Sequence, residues 1–380
     1  MAAASAANRA GAMNIPPAPL ELAMSPAATS RALVTEAHGG PEVVRLRQRP
    51  VAEPGPGQVR VQIRAAAFNH LDLWVRRGIP AGHWPVPLVP CADGAGVIEA
   101  VGPGVPQGRG AAHLQPGASV VLYPVVGCGV CPACLADNAP LCPAFGMLGE
   151  STDGCARDHV LLPASSALAM PETLSFVQAA AMPTTFLTAW RMLRTRAGLQ
   201  PGETVLAHGG RSGVGSAAII LARLLGARVI ATVRRPEDVD RATQLGAAHV
   251  LRSDDPAWPK QARGLCKGGV HVVFEHIGGA TWEGSMRALA RGGRLVLCGA
   301  TAGHEVPLNL RKVFFHSISI LGSTMGSRAE LGQLLALAGQ GRIEPAVGAV
   351  HPLSEGASAM QLLDDRAVFG KVVLDLDGTG

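Results

Sequence analysis

Apolar positions follow two different rhythms along this chain. From residue 31 to about 160, short runs such as Val59-Arg-Val-Gln-Ile63, Gly96-Val-Ile98 and Ser119-Val-Val-Leu122 alternate with Gly- and Pro-containing turns. Strands this short and regular predict a barrel-like, mostly antiparallel domain. From about residue 185, strand-like and helix-like runs alternate instead. Thr204-Val-Leu-Ala207 and Arg228–Val233 read as strands. Val214–Leu225, stopped by Gly226, and Pro236–Leu245, with Pro at its start and Gly246 after it, read as helices. Val270–Phe274, Arg294–Leu297 and Ser317–Leu321 continue the pattern. Such alternation predicts a parallel sheet with right-handed crossovers. A last strand-like run, Lys371-Val-Val-Leu374, is placed to return to the first domain. The expected layout is a tail over 1–30, a β-rich unit over 31–184 joined by 340–380, and an α/β unit over 185–339.

Composition narrows the class. Of 380 residues, 48% are hydrophobic and 16% charged, which excludes intrinsic disorder. The 47 Gly and 29 Pro keep no fixed period, so collagen-like and repeat folds are excluded. The net charge is +5, yet basic residues run no longer than pairs such as Arg76-Arg77 and Arg234-Arg235. A nucleic-acid surface would gather them into a stripe, so none is expected. The uncharged segment Gly117–Ala136 carries Pro124, Pro132 and three Cys and cannot be a lipid-exposed helix. Residues 1–30 lack the charged start and unbroken apolar core of a secretory signal. They read as a disordered tail; a transit peptide, a misplaced start codon or an appended segment all remain open. The expected location is the cytoplasm.

Two motifs carry chemistry. The first α/β strand runs into His208-Gly-Gly-Arg-Ser-Gly-Val-Gly215 and then a helix. Glycines there permit a tight turn and close approach to a pyrophosphate, which the helix N-terminus attracts. The G-x-G-x-x-G spacing falls on Gly210, Ser212 and Gly215, with Ser in place of the middle glycine; Gly213 and Val214 complete the loop. An NAD site wants an acid at the end of the second strand. Here Arg234 and Arg235 follow that strand. Guanidinium matches phosphate bidentately, so NADP(H) is favoured over NAD(H). The alternative is that both arginines are solvated helix-entry residues.

The second motif is Cys128-x2-Cys131-x2-Cys134-x7-Cys142, within 124–145. Four thiolates at this spacing suit one tetrahedral structural zinc per chain, with no position open for catalysis. An iron–sulfur cluster and disulfide pairs are the alternatives, and an intracellular enzyme would disfavour disulfides.

These two signals, in this order, resemble the medium-chain dehydrogenase/reductase superfamily of alcohol dehydrogenases and quinone oxidoreductases. The resemblance spans about 31–380 and includes Gly39-Gly-Pro-Glu42, Asp93-Gly-Ala-Gly-Val97 and Gly370-Lys-Val-Val373. It implies a GroES-like β-barrel catalytic domain with a zinc lobe, a Rossmann NADP-binding domain, a site in the cleft between them, and a homodimer or homotetramer formed through the last Rossmann strand. It also implies His70 and Lys371 near the cofactor phosphates, and Gly299 and Ser323 framing the nicotinamide. The departures matter more. Where zinc alcohol dehydrogenases carry their three ligands, this chain has Asn69, Ala92 and Thr184; their proton relay falls on Leu71 and Trp74. Asn69 and Asp72 match zinc-free quinone oxidoreductases.

Without a Lewis acid, hydride transfer suits a conjugated acceptor, whose developing enolate hydrogen bonds can stabilise. The expectation is an NADPH-dependent reductase of an activated C=C bond or quinone acting on a small molecule. Asn69 would hydrogen-bond the substrate carbonyl or cap a turn, Asp72 is a further catalytic candidate, and Tyr123 would donate a proton or simply pack. Two alternatives stay open. One is an alcohol or aldehyde dehydrogenase with a shifted metal site at His70, His83, Cys91 and Asp93. The other is a non-catalytic NADPH-binding or redox-sensing protein.

Overall fold

A computed structural model describes residues 28–78 and 84–377. Residues 1–27 of the expected 1–30 tail, and His83, lie outside them. The fold begins earlier than the sequence suggested: Thr29 and Ser30 already belong to a strand, because the hairpin pairing of β1 (Thr29–Thr35) with β2 (Val44–Pro50) runs to Thr29 and Pro50.

The β-rich half is built on β3 (Gln58–Ala67), β4 (Asp93–Val101), β5 (Ser119–Leu122), the short pair β6 (Val125–Val126) and β7 (Gly146–Met147), β8 (His159–Pro163) and β9 (Ala167–Ala169). In β3, alternate residues Val59, Val61 and Ile63 point into a dry core with Ile98, Val120 and Leu122. That period of two makes it a half-buried antiparallel strand. Gly96 is required where β4 crosses β3, since a Cβ there would stand 2.1 Å from the Gln62 carbonyl oxygen.

The α/β half comprises β10 (Thr204–Ala207), β11 (Arg228–Val233), β12 (His249–Arg252), β13 (Val270–Glu275), β14 (Leu289–Leu297) and β15 (Ser319–Gly322). They form one parallel sheet in the order β12-β11-β10-β13-β14-β15. The order reverses between β10 and β13, and ligands of such sheets bind at that switch, beyond the carboxyl ends of the strands. The chain then returns: β16 (Val347–Pro352) and β17 (Lys371–Asp375) join the first sheet, giving the path β16-β17-β3-β4-β5-β9. The two rhythms predicted a barrel-like antiparallel unit and a parallel sheet, and both form; they match the GroES-like and Rossmann units that the resemblance implies. The helix Pro183–Trp190 lies between them, buried along most of its length. Among the described residues, no helix is long and apolar enough to cross a membrane.

Candidate active site

The turn after β10 is shaped for an anion. Gly209 has a φ of +60°, a conformation glycine adopts without steric cost. A Cβ at Gly215 would stand 2.1 Å from the Gly209 carbonyl oxygen, so glycine alone lets the following helix pack this close. Ser212 explains the missing middle glycine. It caps the helix Gly213–Leu224, its Oγ accepting from the Gly215 amide at 3.0 Å and donating to the Gly209 carbonyl at 2.8 Å. Its side chain thus turns back into the loop. The amides of Gly213 and Val214, in the first turn, have no intrahelical partner and are available to a pyrophosphate.

The other expected cofactor residues gather at the same sheet edge. Arg234, exposed, and Arg235, half-exposed, follow β11, and Arg235 lies 3.9 Å from Glu237. Gly299 lies just past β14, near His276. Ser323 follows β15, its amide on the Leu297 carbonyl at 2.9 Å, and its buried Oγ has no partner in the structure. A buried hydroxyl left this way suits a polar group of a bound ligand, and the glycine turn suits a dinucleotide phosphate. The residues present therefore fit a nicotinamide dinucleotide. Sequence reasoning passed over Arg211, which ties the turn to its surroundings. Its guanidinium pairs with Asp238 and donates to the carbonyls of Ala367 at 2.6 Å and Arg366 at 3.2 Å.

Where a catalytic metal would be sought, the side chains close on one another. Asp93 is fully buried. Its Oδ1 accepts from the Thr184 amide at 2.8 Å and hydroxyl at 2.6 Å; its Oδ2 accepts from Asn69 Nδ2 and Lys371 Nζ, both at 2.9 Å. Lys371 Nζ also donates to Asn69 Oδ1 and to the Phe68 carbonyl, each at 2.7 Å. All three ammonium protons are used, so Lys371 points at Asp93 and away from a pyrophosphate. Its stem still borders the cofactor turn: a Cβ at Gly213 would meet Lys371 Cδ at 2.9 Å and Thr185 Cγ2 at 3.0 Å. Asp72 accepts from the amides of Asn69 and Cys91, each at 2.7 Å. Burial lifts its carboxyl to about 6, against the pull of those amides. His70 opens the helix His70–Arg77 and stands edge-on to Trp74 at 5.2 Å. Burial, with Arg366 and Arg77, lowers its imidazole to about 4. At neutral pH it offers an uncharged N–H.

Tyr123 is also committed. Its hydroxyl donates to the Gly326 carbonyl at 2.7 Å, and burial pushes its ionisation up. This contact joins barrel to Rossmann unit and matches the packing alternative. The shifted metal site does not assemble among the described residues: of their His, Cys, Asp and Glu side chains, only Cys128, Cys131, Cys134 and Cys142 gather in a metal-sized group. Cys91 is fully buried, and burial raises its thiol further.

The four lobe sulfurs lie within 4.8 Å of one another. Tetrahedral zinc with Zn–S near 2.3 Å wants separations of about 3.8 Å, so the set fits. Amides already point at the sulfurs: Cys131 N to Cys128 Sγ at 3.4 Å, Cys134 N to Cys131 Sγ at 3.5 Å, and both Cys128 N and Ala144 N to Cys142 Sγ at 3.3 Å. Such donors favour thiolate; those of Val130 and Cys131 lower Cys128 to about 6.

Comparison with known proteins agrees with this anatomy. Residues 55–172 match the alcohol dehydrogenase GroES-like domain, and 213–340 match the zinc-binding dehydrogenase domain. An alcohol dehydrogenase of Geobacillus stearothermophilus is 32% identical over 330 residues, 84% of this chain and 93% of that one. A solved NAD-dependent alcohol dehydrogenase superposes with a TM-score of 0.86 at 45% identity, covering 91% of this chain and 99% of the other. A crotonyl-CoA carboxylase/reductase structure gives 0.84 at 25% identity, over 93% and 89%. The protein is a two-domain oxidoreductase of the alcohol dehydrogenase type. It belongs to the medium-chain dehydrogenase/reductase superfamily, whose zinc-binding dehydrogenase domain implies NAD(P) as cofactor.

Proposed function

We propose that this chain is an NADPH-dependent reductase that delivers hydride to an activated C=C bond or a quinone without a catalytic metal. One observation carries the reading. The three positions that would ligate zinc hold Asn69, Ala92 and Thr184, and Asn69 and Thr184, with Lys371, saturate the Asp93 carboxylate. A carboxylate so engaged has no lone pair turned to a metal. When bound, the dihydronicotinamide supplies a hydride. Asn69 keeps one N–H beyond its bond to Asp93, and that donor suits the oxygen of a developing enolate. Lys371 and Asp93 fix its orientation. With Tyr123 committed to Gly326, water is the proton source we favour. Residues 31–184 with 340–380 form the catalytic unit in this reading, 185–339 the nucleotide unit, and the four cysteines hold one structural zinc.

Arg234 and Arg235 support NADP(H), although one similar structure is named NAD-dependent. Replacing Arg234 by Ser removes a charged phosphate contact. It should weaken NADPH about tenfold or more and leave NADH unchanged. Equal binding of both dinucleotides by the wild type would remove the basis for the preference. The likeness to alcohol dehydrogenases supports a second reading, alcohol or aldehyde oxidation at a metal. NADPH oxidation against enals, quinones, enoyl thioesters and saturated aldehydes, with metal analysis of the same sample, separates them. Turnover of conjugated acceptors alone with one zinc per chain supports the reductase. Turnover of saturated aldehydes that is lost with a second metal sinks it.

We also propose a homodimer. Leu310, Phe314 and Phe315 are each about two-thirds exposed, on a helix that leads into the edge strand β15. An open strand edge beside an apolar patch favours self-pairing. Light scattering should give twice the chain mass, and F314K should halve it. The thiol set favours a reducing compartment such as the cytoplasm.

A further inference from the structure

Beneath the glycine turn lies a buried polar chain that the proposed chemistry does not use. His208 is fully buried, its ring edge-to-face with Trp258 at a centroid separation of 5.1 Å. Its Nε2 is 2.8 Å from Ser285 Oγ, and Ser285 Oγ is 2.9 Å from Glu275 Oε2. Its Nδ1 is 3.1 Å from Thr232 Oγ1, which accepts from the Gly209 amide at 3.2 Å. Glu275 closes the far end, where Oε1 accepts from the amides of Ile277 at 2.8 Å and Gly278 at 3.2 Å.

The proton positions follow from one end. The donors that converge on Glu275 hold it as a carboxylate: the amides of Ile277 and Gly278 and the hydroxyls of Ser285 and Thr281. Burial lowers His208, keeping the ring neutral. An ionised carboxylate only accepts, so Ser285 donates to it. Ser285 Oγ must then accept from His208 Nε2–H. The bare Nδ1 accepts from the Thr232 hydroxyl, whose oxygen is left to accept from Gly209. One carboxylate at the end of β13 therefore sets the direction of every bond up to an amide of the cofactor turn. A second link runs alongside, from His276 Nε2–H to the His208 carbonyl at 2.9 Å.

We propose that Glu275, Ser285, His208 and Thr232 are positioning residues that hold the Gly209 turn and the 276–278 turn in one register, so that the two ends of a bound dinucleotide meet a preformed cradle. The inference rests on the dinucleotide reading of the Gly209–Gly215 loop. It gives Ser285 and Thr232, on different elements, one shared effect.

The test uses the full-length protein with Ser285→Ala, Thr232→Val and the double variant, with Ser285→Thr as the conservative control. NADPH binding is followed by dihydronicotinamide fluorescence, and amide exchange over 208–213 is followed without dinucleotide. Each single variant should raise the Kd about tenfold and speed exchange in that segment. The double variant should add little to either, because one broken link already releases the chain. Ser285→Thr, which keeps the hydroxyl, should bind like the wild type. Faster exchange or a lower Tm with Kd within about twofold of wild type would overturn the positioning role and leave a purely structural network. A wild type that binds neither NADPH nor NADH would overturn the reading of the loop itself, whatever the exchange shows.

Discussion

Two regions of the barrel unit solve the same problem in opposite ways. In the 124–145 lobe, four sulfurs crowd together with only weak amide donors around them. Around Asp93 the groups complete one another: the Thr184 hydroxyl and backbone amide, the Asn69 amide and the Lys371 ammonium occupy both oxygens of Asp93, and Asp93, Asn69 and the Phe68 carbonyl take every proton of Lys371. The lobe gathers four sulfurs that suit a metal, whereas the groups around Asp93 are already bonded to one another. Metal ligation is therefore read from unsatisfied ligands, not from the number of ionisable groups in a place.

The sharpest way to break this contrast is to damage each region in its own currency. Cys142→Ser should abolish zinc in metal analysis and leave the lobe open to proteolysis. Zinc in small all-protein sites supplies about 10 kcal/mol or more of local folding energy, so this is the largest effect expected. Zinc retained at one per chain would show that the four cysteines are not its ligands. At Asp93, Lys371→Met strands a buried carboxylate. Breaking one partner of a buried pair costs about 3–5 kcal/mol, readable in urea unfolding, with the zinc content unchanged. A smaller step is Thr184→Val, which removes one hydroxyl donor from Asp93 and should cost about 1–3 kcal/mol. A second metal appearing in either variant would mean that the cluster had been blocking a metal site.

The finest test is pH. Asp72, raised to about 6, binds its proton in the folded state before the unfolded chain does, so its contribution favours folding as pH falls from 6 toward 4. His70, lowered to about 4, binds its proton later than the unfolded chain does, so over pH 6.5 to 4 its contribution opposes folding. The two terms run against each other in one window. His70→Gln should make stability rise on acidification relative to wild type, and Asp72→Asn should make it fall, each by roughly 1–2 kcal/mol. Parallel profiles for the three proteins would rule this out.

What the sequence disclosed was local. The strand–glycine turn–helix unit at 204–224 and the four cysteines within 128–142 each declare themselves inside a short window. The alternation of Val59, Val61 and Ile63 is enough to identify a half-buried strand. What it concealed depends on distance along the chain. Asp93 and Lys371 are 278 positions apart, Tyr123 and Gly326 203 apart, and His208 and Ser285 77 apart. No periodicity reports such pairs. The resemblance places Lys371 at the cofactor phosphates, since nothing local to it announces Asp93, and each member of the His208 chain reads alone as an ordinary core residue. Ser212 was legible as a departure from the glycine pattern; its capping role needed the helix start to be located.

The link from Lys371 to Phe68 and Asp93 has a consequence during synthesis. A ribosome adding about 5–20 residues per second exposes Lys371 roughly 15–55 s after Asp93. All six Rossmann strands emerge in that interval, while the barrel still lacks β17 and the counter-charge of its buried carboxylate. The nucleotide-binding half can fold on the nascent chain. The barrel half waits for its last strand, so a product that ends before β17 leaves the Asp93 carboxylate buried without its ammonium partner.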